Sequence, residues 1–169
     1  MVLKLKNKKN KKSGFAILET LFYIAIFAIF SVLVINAMVT MVKSFKETRI
    51  QSQLVQGSQV LEKISREIRQ AKSINTLGVG DLKLNTSDSA GVDKTVRFVL
   101  SNNNVQFYEN DILSGNLNSS NLQINSLVFN QITTVKGSAV KVVLNVQSND
   151  DAFNRTKDFY NTVVLRGDY

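Results

Sequence analysis

A chain of 169 residues has room for one modest globular domain, and any membrane segment reduces what is left for a soluble core. It contains neither cysteine nor histidine, which removes disulfides, thiolate metal sites, the usual neutral-pH base and every serine–histidine arrangement. The net charge of +8 is local: Lys4, Lys6, Lys8, Lys9, Lys11 and Lys12 precede Ser13 with no acid among them, and the remainder holds 15 basic against 13 acidic residues, too even a balance to imply a nucleic-acid partner.

Residues 1–14 read as a basic leader and 15–42 as a membrane-spanning helix. From Thr20 to Val42 there are 23 uncharged residues, of which Thr20, Ser31, Asn36 and Thr40 are polar. As a helix rising about 1.5 Å per residue this run covers roughly 34 Å, against a hydrocarbon core of about 30 Å. A cleaved secretory signal has a shorter apolar run followed by small residues, so the pattern fits a retained helix. Lysines on its leading flank place the N-terminus in the cytoplasm and everything after Val42 on the far side. Glu19 breaks the apolar pattern at the cytoplasmic edge. An acid at the centre of a membrane helix costs about 2.5–3.5 kcal/mol, less toward the interface, so in isolation Glu19 reads as a side chain reaching for the headgroups.

The surroundings of Glu19 change that reading. A lysine-rich leader, Gly14, Phe15, Glu19 four residues later and an unbroken apolar helix follow one another in order. This segment resembles the class III signal of type IV prepilins and type II secretion pseudopilins. The resemblance implies that a prepilin peptidase cuts between Gly14 and Phe15 and N-methylates Phe15. It also implies that Glu19 pairs with the N-terminal amine of a neighbouring subunit during filament assembly. The implied partners are other pilin or pseudopilin subunits, the peptidase, the inner-membrane assembly platform and, before assembly, membrane lipid. Ala16 and Thr20 stand where the family more often has threonine and a larger apolar residue. No proline is present, and Asn36 stands where many major pilins bend, so a proline kink is not expected.

Residues 43–74 read as an amphipathic continuation of the same helix. Ile50, Leu54, Gly57, Leu61, Ile64, Ile68 and Ala71 alternate in steps of four and three and share one stripe. Barely three heptads with a glycine in the seam make a poor zipper, so the stripe is expected to pack on the chain's own sheet. Glu62/Arg66 and Lys63/Glu67 are spaced as i,i+4 pairs. Gly57 marks either close approach of a neighbour or a weak point in the helix.

Residues 75–169 read as an antiparallel sheet domain. Gly78, Gly80, Asp81, Ser87, Asp88, Ser89 and Gly91 predict a loop region with a short strand near Leu82. Val96, Phe98 and Leu100 alternate on one strand and Val105 and Phe107 on the next, with Ser101-Asn102-Asn103-Asn104 turning between them. Further strands are expected over Leu122–Ile132, Ala139–Gln147 and Phe159–Arg166. In the first of these the apolar phase slips between Ile124 and Leu127, which predicts a bulge near Asn125-Ser126. Helix first and strands after give an α+β, pilin-like fold: a long N-terminal helix whose second half packs on an antiparallel sheet. Within that family the run from Leu61 to Ala71, and an expected pairing of Ser126–Phe129 with the terminal Thr162–Arg166, look like J-type minor pseudopilins.

Catalytic chemistry finds no foothold. Gly78-Val79-Gly80 lacks the rest of a phosphate loop and reads as a turn. Asn149-Asp150-Asp151 offers Asp150 and Asp151 as weak calcium ligands without EF-hand spacing, and a solvated hairpin fits better. The Asn85, Asn118 and Asn154 glycosylation sequons are expected by chance in so asparagine-rich a chain. The expected role is a minor pilin or pseudopilin that starts or caps a filament. The rivals are an uncleaved, signal-anchored membrane protein with an outer ligand-binding domain, and a DNA-uptake competence pilin.

Overall fold

The computed structural model describes residues 13–134 and 137–165. The lysines of the expected leader and the expected strand end at Arg166 lie outside the described residues. By its contacts the chain divides into an N-terminal unit ending at Glu47 and a second unit, Thr48–Tyr169. A single helix, α1 (Ser13–Gln70), runs through both.

In the second unit, eight strands follow among the described residues. β1 (Ser73–Gly78), β2 (Asp81–Ser87), β3 (Asp93–Ser101), β4 (Asn104–Glu109) and β5 (Ile112–Asn116) form a five-stranded sheet in chain order. β6 (Leu122–Thr134), β7 (Gly137–Ser148) and β8 (Thr156–Val164) form a second, three-stranded sheet. All pairings are antiparallel. The fold is therefore α+β as expected, with the strands divided between two sheets where the sequence had implied one.

The helical stripe packs inward throughout: Ile50, Leu54, Leu61, Ile64, Ile68 and Ala71 are all buried, in one core with Leu82, Phe98, Phe107, Leu127, Leu144 and Val163 from the two sheets. Side chains of that size contribute about 1.5–3 kcal/mol each on full burial, which is why a stripe of this length holds the helix on the strands. The helix stops at Gln70, four residues before the expected end. Thr86 Oγ1 donates to the Gln70 carbonyl at 3.2 Å, and Lys72 N donates to Asn85 O at 2.8 Å, so the chain leaves the helix by joining β2. Ala71 stays buried beyond the helix end, so the apolar stripe runs one residue past it.

The alternating strands lie where their periods place them, with Val140, Val142, Leu144 and Val146 all fully buried. The phase slip in β6 is a bulge: the register shifts between Ile124 and Ser126, and Leu122, Ile124, Leu127 and Phe129 all face the core as a result. Two elements depart from the expectation. Ser73–Gly78 is strand β1 and Ile112–Asn116 is strand β5, both edge strands with an irregular register that masks their alternation. The expected pairing of Ser126–Phe129 with the C-terminal strand is also corrected. β7 lies between them, because each strand of this sheet pairs with its neighbour in sequence.

Candidate functional site

The first unit is built from one property, an apolar helix on which nothing packs among the described residues. Its side chains from Phe15 to Phe45 are exposed almost without exception, and its most apolar stretch, of mean hydropathy 2.5, contains no buried residue. A core helix of a soluble domain would be covered. Its hydroxyls are satisfied internally: Thr20 Oγ1 donates to Ala16 O, Ser31 Oγ to Phe27 O at 2.8 Å, and Thr40 Oγ1 to Asn36 O at 2.9 Å. Such back-bonding removes the polar cost that hydrocarbon would otherwise impose on these groups.

Glu19 is the one charged residue between Gly14 and Lys43. Its Oε1 accepts a hydrogen bond of 3.2 Å from Tyr23 Oη, one turn onward, and it takes part in no ion pair among the described residues. Tyr23 was missed from sequence although its i,i+4 spacing to Glu19 carried the signal. One long hydrogen bond from a phenol leaves most of the carboxylate's accepting capacity open to a cation. Phe15 stands one turn before Glu19 on the same helix, 76 % exposed, and Gly14 precedes it within α1.

Asp150 and Asp151 belong to a different arrangement in the second unit. Asp150 Oδ2 accepts from Arg49 Nη2 at 2.6 Å and from Gln53 Nε2 at 2.5 Å, while Ser148 Oγ donates to Gln53 Oε1. Asp151 accepts from the backbone N–H of Phe153 and of Arg155, both at 3.1 Å, and from Arg155 Nε at 2.7 Å. The Arg155 guanidinium, aided by those two amides, holds the Asp151 carboxyl down at about 2. The segment is thus not the solvated hairpin expected, since Asp151 is buried. Arginine and amide donors occupy both carboxylates, and among the described residues no three acidic side chains converge as a metal site.

The chain is an α+β protein with a long N-terminal helix on antiparallel sheets, and that helix is long and apolar enough to cross a membrane. No protein-family profile, curated protein or solved structure matches it.

Proposed function

We propose that the chain is a minor pilin or pseudopilin, processed between Gly14 and Phe15 and assembled through its N-terminal helix at the start or tip of a type IV pilus or secretion pseudopilus. The observation that carries this reading is Glu19. It is the sole charge between Gly14 and Lys43, in an exposed apolar stretch of α1, without an ion-pair partner among the described residues, four positions after the residue that cleavage would expose as a free amine.

Cleavage after Gly14 would create that amine on Phe15. A subunit displaced along its neighbour by about one helical turn would then set its amine against the neighbour's Glu19. Two opposite charges about 4 Å apart at an effective dielectric near 20 attract by about 4 kcal/mol, which offsets the desolvation of both in lipid. Moving an apolar helix from lipid into a bundle of like helices gains little hydrophobic energy, so this pair would supply the register of assembly. Before assembly the subunit would sit in the inner membrane, N-terminus inward and sheet domain outside.

Mass spectrometry of protein from its native cells tests the processing step. A mature chain beginning at N-methylated Phe15 is the expected result, and an intact Met1 favours the signal-anchored alternative. Glu19→Val is expected to leave cleavage intact and to lower incorporation into sheared filaments at least about tenfold, the loss of roughly 1.4 kcal/mol or more of pairing energy.

A further inference from the structure

The four edges of the two sheets differ. β1, β5 and β6 each carry an unpaired residue, at Asn75, Ser114 and Asn125, and such bulges bend an edge away from further pairing. β8 carries none, and its nine residues pair with β7 in one register from Thr156 to Val164. Leu165 N donates to Ser138 O at 3.0 Å, which sets the phase of the ladder. Residues in step with Leu165 exchange bonds with β7, so the alternate residues Asp158, Tyr160, Thr162 and Val164 turn their N–H and C=O groups outward. Among the described residues no strand pairs with that edge, and Tyr160 is 76 % exposed with Asp158 and Thr162 exposed beside it.

β8 is tied to α1 by a hydrogen bond of 3.0 Å from Asn161 Nδ2 to Ser65 Oγ. An open groove of about 230 Å³ separates them, walled by Ser58, Glu62, Arg66 and Arg69 from the helix and Tyr160 and Asn161 from the strand. Glu62 is paired with Arg66 at 3.2 Å, whereas Arg69 has no hydrogen bond or ion pair among the described residues. Among the described residues the groove therefore carries one surplus positive charge.

We propose that the outer edge of β8 receives an extended segment of another protein, which joins β6, β7 and β8 as a fourth strand and sets an acidic side chain against Arg69. Outward main-chain groups would hold the strand, and the arginine would select its sequence. A second copy of this chain is the weaker occupant. β8 can meet its own symmetry mate only antiparallel, which runs the two α1 helices in opposite directions, whereas chains anchored in one membrane leave it the same way. That last step rests on the membrane reading; the open edge does not depend on cleavage at Gly14.

The test places a photoreactive phenylalanine analogue at Val164 of the full chain in its native cells. Irradiation is expected to give an adduct with one other protein, through a strand-forming peptide that contains Asp or Glu. Thr162→Pro removes an outward N–H without touching the ladder to β7, and is expected to cut adduct yield at least about tenfold at an unchanged melting temperature. Arg69→Glu should cut it likewise, with Arg69→Lys retaining it. If Thr162→Pro lowers the melting temperature, Tyr160→Lys probes the same edge, since an edge lysine blocks pairing from outside. Undiminished yield in the edge variant or in Arg69→Glu overturns the proposal, as does an adduct with a second copy, with lipid alone, or none.

Discussion

Gly57 sits where α1 meets β7 and β8, and a Cβ added there would stand 2.7 Å from Phe159 Cε2 and 3.0 Å from Val146 Cγ1. Alanine would gain about 1 kcal/mol of helix propensity, but overpacking a core contact costs about 1–3 kcal/mol. Since the Phe159 ring packs against the buried core, the contact term is expected to win. Gly57→Ala should lower the thermal midpoint, and Phe159→Leu in the same chain should restore part of the loss; a rise in midpoint on Gly57→Ala alone would mean the ring yields freely. The sequence posed the choice between close approach and weak point at Gly57, but the atoms that settle it come from about 90–100 residues further along.

Asp151 makes a second residue-scale prediction. Its carboxyl is lowered from the ordinary 3.8 to about 2, so the native state binds its proton less readily than the unfolded chain does. The resulting stabilisation is complete above the ordinary carboxylate range and is lost as pH falls from about 4 toward 2. Asp81, held below its usual range by the Arg97 guanidinium, adds a loss of the same sign. Urea midpoints measured across this window should fall less steeply in Asp151→Asn than in the parent chain, with the Asp81 contribution remaining. Asp151 and Arg155 are close in sequence and their pairing was open to local reasoning, whereas Asp150 meets Arg49 across 101 positions and was not.

At the scale of elements, the β3–β4 hairpin turns on Asn102 and Asn103, both left-handed with φ of 48° and 61°. Asparagine tolerates that region, and a two-residue turn of this hand matches the twist of the strands it joins. Asn103→Val is expected to cost about 1–2 kcal/mol, read as a lower urea midpoint with an unchanged slope. Asn110 and Asp111 repeat the arrangement between β4 and β5, with φ of 50° and 62°. That second asparagine-led turn was the available signal for β5, overlooked because the strand behind it has exposed Ile112 and Leu113 and a break in register at Ser114. β1 was hidden in the same way by its bulge. Alternation is legible only where one face is buried without interruption, as in β7, and edge strands lack that constraint.

For the whole molecule, the buried core lies entirely between Ile50 and Leu165, and the exposed apolar run lies before it. The two units should accordingly be separable. A chain beginning at Thr48 is expected to melt cooperatively and to stay monodisperse without detergent, while the full chain should need detergent to remain in solution. Loss of cooperative melting in the shortened chain would mean that residues before Thr48 contribute to the core.

The sequence by itself determined what depends on neighbours a few residues apart: the length and apolarity of the membrane-competent helix, the isolation of Glu19, the inward stripe from Ile50 to Ala71, and the slip at Asn125. Tertiary structure alone decided which strands lie side by side, the division into two sheets, the ring packed against Gly57, the arginines on Asp150 and Asp151, and the free edge of β8. Periodicity is written into the order of side chains because one helix or strand repeats a single geometry. Partners brought together across a hundred residues are chosen by how complete surfaces fit, and no local pattern records that choice.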